Sequence, residues 1–141
     1  MSANITALEA IKAARASRER LLAHGPVKVE FEKWPLPDGR PFTCYVFPTT
    51  CGEHDQIVAA RARGEREGRS GHYDSFVETV ILRARNEDGT PIFQPAQRSE
   101  LMGSTLSDEI RELAILISAC EPTPEEIRGN VQIPSSSSAN E

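Results

Sequence analysis

Three stretches of this chain carry a periodic pattern of apolar and polar positions, and each predicts a different element. Residues 27–33 alternate strictly: Val27, Val29 and Phe31 fall on one side, Lys28, Glu30 and Glu32 on the other. That two-residue period is a half-buried strand. Within 76–93, Phe76, Val77, Val80, Ile81 and Ala84 recur at helical spacing. Asn86-Glu87-Asp88-Gly89 is expected to stop that helix, Gly89 supplying the positive φ of a C-terminal cap or tight turn. Thr90-Pro91 forbids a return to helix, and Ile92 and Phe93 re-enter the core as a short extended piece. Within 105–120, Leu106, Ile110, Leu113, Ile117 and Cys120 follow one another by alternate steps of four and three, with Ala114 beside them. This is the clearest amphipathic helix in the chain.

The intervening segments fill in around these three. Residues 42–47 are a second β-rich run closed by Pro48, and 34–41, Trp-Pro-Leu-Pro-Asp-Gly-Arg-Pro, form the turn before it. The two runs make an antiparallel hairpin, which is marginal alone and must pack on helices or pair with another subunit. Thr50-Cys51-Gly52-Glu53 reads as a capping box opening a helix to about residue 63. Residues 65–71, charged and punctuated by Gly, read as a mobile loop. Residues 94–102 are a short helix stopped by Gly103, and Thr105-Leu106-Ser107-Asp108 is a second capping signature. At the N-terminus Ile5, Leu8, Ile11, Ala14, Leu21 and Leu22 form a thin apolar stripe, capped by Asn4 and ended by His24-Gly25-Pro26. A helix this polar belongs outside the core or against a partner. Pro122 ends the amphipathic helix, Thr123-Pro124-Glu125-Glu126 starts one more turn that Gly129 stops, and 131–141, with its Ser run, is expected to be disordered when free. There is no internal repeat.

The pattern therefore predicts an α+β fold: a small antiparallel β-hairpin packed against several α-helices, with an N-terminal helix and a disordered C-terminal tail. Three segments follow: an N-terminal helix (1–25), a core domain (26–121) and a tail (122–141). A length of 141 residues suits one modest core.

Charge changes the picture mainly by its location. From residue 107 onward seven acids face two Arg, which accounts for the whole net charge of −5. An acidic C-terminal third argues against nucleic acid as the main ligand, because phosphate recognition needs a concentrated basic surface. The N-terminal helix is mildly basic: Lys12, Arg15, Arg18 and Arg20 against Glu9 and Glu19. Three Cys without framework spacing fit a reduced compartment. The sequence has no apolar leader region and no membrane-length apolar run, so a cytoplasmic protein with no membrane partner is expected.

Candidate chemistry is sparse. Cys44, Cys51, His54 and His72 are the only possible soft-metal cluster, and Cys-x6-Cys-x2-His is not a usual zinc spacing. The simpler assignment is one buried Cys with two surface His. Cys51 at a helix N-terminus with His54 one turn on could form a nucleophilic pair, but no orienting group accompanies it. Asn86-x-Asp88-Gly89 lacks the further carboxylates of a calcium loop and is a turn. Trp34 is either a lid on the core or a partner contact. No cofactor, metal or catalytic residue is assigned.

The order of elements resembles the tail assembly chaperones of long-tailed bacteriophages. The residues that carry the resemblance are the alternating strand 27–33 with its Trp/Gly/Pro turn, the second strand 42–48 leading into the helix at 50–63, and the run 80–85 into Asp88-Gly89-Thr90-Pro91-Ile92-Phe93. The polar helix at 96–102 and the closing amphipathic helix 105–120 complete it. It spans residues 27–120; the N-terminal helix and the Pro- and Ser-containing tail lie outside it. The resemblance implies a non-enzymatic assembly factor in the bacterial host cytoplasm, absent from the finished virion. It would bind the tape measure protein, keep it soluble and recruit tail tube subunits. Many members are also made in a longer form by programmed frameshifting.

Two alternatives stand beside it: a minor structural protein of a phage head or tail, and a Cys/His- or zinc-dependent enzyme using Cys51 and His54. For the chaperone, the expected partner surface is the face of Leu106, Ile110, Leu113 and Ile117, with Asp108, Glu109 and Glu112 steering basic partner helices and Trp34 as a contact. A homo-oligomer using the same surface is a further expectation. Asp88, Gly89 and Pro91 are assigned to a structural turn.

Overall fold

The computed structural model describes residues 4–120. The turn expected at 123–128 and the tail expected at 131–141 lie outside them. The elements run α1 (Ala7–Ala23), β1 (Val27–Pro35), β2 (Pro41–Val46), α2 (Cys51–Arg66), α3 (His72–Arg83), a single 3₁₀ turn (Pro95–Gln97), α4 (Arg98–Ser104) and α5 (Ser107–Ala119). This is the α+β arrangement the periodicities predict.

β1 and β2 pair antiparallel, with Val29 opposite Cys44 and Phe31 opposite Phe42; the register becomes irregular between Phe31 and Pro35. The alternation read from the sequence is the alternation of burial. Val29 and Phe31 of β1, with Phe42, Cys44 and Val46 of β2, point into the core. Against that face lie Val77, Val80, Ile81 and Ala84 from α3 and its end, Leu101 from α4, and Ile110, Leu113, Ala114 and Ile117 from α5. Phe31, Val77, Val80, Leu113 and Ile117 are fully buried, each burial being worth roughly 1.5–3 kcal/mol.

The capping box at α2 forms as written. The Glu53 N–H donates to Thr50 Oγ1 and the Thr50 N–H donates to Glu53 Oε1, each at 3.2 Å. α2 continues to Arg66, past the expected end at 63. Glu65 and Arg66 therefore belong to a helix rather than to a mobile loop, and Arg69 ties the rest of that segment to α3.

Four other boundaries differ from expectation. α1 is capped by Thr6, not Asn4: Thr6 and Glu9 form a second capping box, with the Thr6 N–H donating to Glu9 Oε1 at 2.9 Å. α3 ends at Arg83, before the Asn86–Gly89 stop. Arg85 then runs beside β2 as a third extended strip, exchanging hydrogen bonds with Tyr45 at 2.7 and 3.2 Å. α4 runs through Gly103 to Ser104, because Gly103 is exposed and its helical conformation there costs only about 1 kcal/mol relative to Ala. α5 opens at Leu106 without a side-chain cap. Thr105, the expected capping residue, instead donates its hydroxyl back to the Leu101 carbonyl at 2.6 Å and so closes α4.

Candidate partner-binding surface

The two faces of α5 have different fates. Ile110, Leu113 and Ile117 are buried in the core against the hairpin and α3. Their assignment to a partner is therefore corrected: the hairpin face and α3 already cover them. Leu106, by contrast, is 66% exposed at the N-terminus of α5, and Ile115 is 55% exposed on the opposite side of the helix. Leu116 is also exposed. It lies one turn on from Glu112, on the flank of α5 that faces β1.

That flank is built from both elements. The Trp34 indole N–H donates to Glu109 Oε1 at 3.0 Å, and the Lys33 ammonium donates to Glu112 Oε1 at 2.6 Å. The Glu112 hydrogen bond, and then its charge, hold Lys33 above its ordinary pKa. Trp34 packs edge-on against Phe31 at 5.3 Å and tilted on Phe42 at 5.7 Å. It is half-buried, so it covers the core and keeps part of its ring at the surface. Glu109 and Glu112 are thus engaged in holding α5 to β1. Asp108 stays exposed, with Arg111 3.4 Å away on its own helix. This flank thus carries exposed Leu116 on α5, partly exposed Trp34 on β1 and three acids, one of them paired with Lys33.

The structural turn stands where the sequence put it. Gly89 has φ +89°. Asp88 Oδ1 accepts from the Thr90 hydroxyl at 2.7 Å and from the Thr90 N–H at 3.0 Å. These two bonds, the hydroxyl's first, hold the Asp88 carboxyl below its ordinary value. Pro91 bridges back to Arg85, so the turn joins two extended strips and does not cap α3.

Sequence reasoning missed a charged seam between three helices. Asp74 and Glu78, one turn apart on α3, are buried. Arg69 grips Asp74 with two bonds, Nη2 at 2.7 Å and Nε at 3.2 Å. Arg98 of α4 holds one oxygen of Glu78, Oε1, between Nη2 at 2.8 Å and Nε at 2.9 Å, and Arg63 of α2 lies 3.9 Å from that oxygen. The Arg69 hydrogen bond is the main reason the Asp74 carboxyl sits below its ordinary pKa. A cleft of about 250 Å³ opens beside this seam, lined in part by Arg69, Tyr73, Val77, Met102 and Ile110. Both carboxylates are matched by guanidinium groups, so the seam reads as a device that joins helices. The signal in the sequence was the acid pair one turn apart, Asp74 and Glu78, in the apolar stretch that follows an Arg-rich one.

The thiols and imidazoles are scattered. Cys44 is buried under the hairpin, and burial pushes its thiol up to about 11. Burial also raises Cys120. Cys51 and His54 both sit exposed on the first turn of α2. Among the described residues no group of three or more His, Cys, Asp or Glu could hold a metal ion. Among them, too, no helix is long and apolar enough to cross a membrane.

α1 differs from every other helix of the fold: none of its residues is buried. Leu8 is 61% and Ile11 49% exposed, and Leu22 is exposed one to two turns before β1. Comparison of the chain with protein-family models, curated proteins and solved structures returns no match.

Proposed function

We propose that this protein is a binding protein without catalytic activity, acting as a phage tail assembly chaperone in the host cytoplasm. It would bind the tape measure protein, keep it soluble and help recruit tail tube subunits. One observation carries this reading: the flank of α5 that faces β1, where exposed Leu116 and partly exposed Trp34 stand on elements joined through Glu109 and Glu112, with Asp108 exposed beside them. An apolar surface on which three acids outnumber the one cation, Lys33, suits an amphipathic helix with basic flanks, which would lie along α5 in the helix-in-groove mode. Supporting it is the resemblance over residues 27–120.

Co-expression with the long helical tape measure protein, which this reading expects to be encoded beside it, tests the reading. The long product should be soluble and co-purify only when this protein is present, and Leu116→Glu should abolish capture without changing the melting temperature. A long product that stays soluble alone and never co-purifies overturns the chaperone reading and favours a minor structural protein of the head or tail.

A further inference from the structure

α1 is a 17-residue helix with no buried side chain. Isolated helices of that length are marginal in water, and most helical stability comes from packing an apolar face. Its box of Thr6 and Glu9 satisfies two amides, but among the described residues Leu8 and Ile11 stay largely uncovered. Elsewhere on the surface lies the complementary feature. α3 and α5 pack side by side and leave an open apolar groove of about 490 Å³ between them, lined by Phe76, Thr79, Ala114, Ile115, Ser118 and Ala119. Small side chains make up most of its lining, which lets a helix approach closely, and Phe76 and Ile115 add apolar surface. The groove is on the α3 side of α5, away from the Trp34 strip on the β1 side.

We propose that α1 of one copy docks in the α3/α5 groove of a second copy. Leu8 and Ile11 enter the groove, and Ile115, 55% exposed in the single chain, closes over them. Charge favours this occupant. Residues 1–26 hold four cations and two acids and are +2, whereas the described body, residues 27–120, holds 11 cations and 15 acids and is −4. Each α1 is therefore drawn to the body of another copy. The contact joins two different surfaces, so it forms either a reciprocal pair or a head-to-tail ring. This self-association is independent of the client the protein serves, because it leaves the Trp34 strip uncovered.

Light scattering on the full chain across a concentration series tests it. The expected mass is that of two copies or more, falling toward one copy on dilution and at high salt. Leu8→Gln/Ile11→Gln removes the α1 anchors, and Ser118→Trp fills the groove. Both alter exposed positions, and Ile115→Gln is a second groove variant should Ser118→Trp lower the melting temperature. Each should weaken association about tenfold or more, the scale of losing a central apolar anchor. The decisive sample is a mixture of the α1 variant with a groove variant. One keeps an intact groove and the other an intact α1, so together they should form a pair of two copies that neither forms alone. A wild-type chain of one-copy mass at every concentration overturns the proposal, including one that then binds anionic phospholipid vesicles through α1. So does a groove variant that still self-associates, which means α1 pairs with α1, or an α1 variant that still does, which means the grooves pair directly.

Discussion

The indole N–H of Trp34 donates to Glu109 across 75 positions of sequence, and it fastens the end of β1 to the first turns of α5. The same ring closes the aromatic edge of the core over Phe31 and Phe42. Trp34→Phe keeps most of the ring contact and loses the donor, so it should cost about 0.5–1.5 kcal/mol. Trp34→Ala also loses the packing and should cost about 2–3 kcal/mol, less than a fully buried Trp because part of the ring is at the surface. Urea unfolding followed by circular dichroism measures both. Because Trp34 is the only Trp, its emission also reports the bond: Glu109→Ala should shift it. An unchanged emission maximum and urea midpoint in Glu109→Ala would show that the bond contributes nothing.

Where the chain's periodicity concerned a single element, it was readable. Val29 and Phe31 had to share a face because a strand has a period of two, and Thr50 with Glu53 had to cap because the box is local. Thr6 and Glu9 carry the same local signature, and its two reciprocal bonds outweigh the single acceptor that Asn4 offers. The stripe of Ile110, Leu113 and Ile117 was equally clear as a stripe. Periodicity says that a face is covered but not by what, and here the hairpin and α3 cover it. The seam of Arg69, Asp74, Glu78 and Arg98 was hidden for a related reason. Arg98 and Glu78 are 20 positions apart, and a run of charges reads as a solvated surface until the helices are placed.

Gly64 marks a close approach of α2 to α3. A Cβ there would overlap the Asp74 carboxylate and lie 3.0 Å from the Gly71 backbone Cα. Neither group is free to retreat, since Arg69 holds Asp74 and Gly71 starts α3. Gly64→Ala should therefore destabilise the domain by about 1–3 kcal/mol, despite the better helix propensity of Ala. Asp74→Ala in the same chain removes the overlapping group, so the double variant should lose less than the sum of the two singles. Strict additivity in a double-mutant cycle would place the Gly64 strain elsewhere.

The Arg69–Asp74 pair has a predictable pH signature. Arg69 holds the folded Asp74 carboxyl below its ordinary value, so the unfolded chain binds the proton first as pH falls. The stability this pair supplies is complete above the unfolded value of about 3.9 and is lost as pH drops through the lower folded value. The urea midpoint of the wild type minus that of Asp74→Asn should stay level from neutral pH to about 5, then shrink toward zero below about 4. A difference that is unchanged at the lowest pH would mean that Asp74 acts by shape rather than by charge.

Gly89 has room for a side chain, since a Cβ there would meet the Phe47 ring only at 3.8 Å, yet its φ of +89° disfavours one. Gly89→Val should cost about 1–3 kcal/mol from backbone strain alone. Gly89→Asn, which tolerates left-handed backbone better, should cost less. Thermal unfolding of the two variants separates strain from crowding, since crowding would penalise them alike.

α1 and the rest of the fold should respond separately to a change in the helix cap. Thr6 Oγ1 accepts from the Glu9 N–H at 3.2 Å, and Thr6→Ala removes that acceptor, an effect of about 1 kcal/mol on helix stability. Because no α1 side chain is buried, this loss does not pass into the core. In dilute protein, Thr6→Ala should reduce helical circular dichroism and speed hydrogen exchange at the α1 amides, while the main unfolding transition stays in place. The amides of α3 and α5, whose side chains fill the core, should exchange as slowly as in the wild type. At high protein concentration, docking on a second copy would slow exchange in wild-type α1, and the variant should need more protein to reach the same protection. If Thr6→Ala instead lowers the main transition, α1 is coupled to the core and is not a helix awaiting a partner.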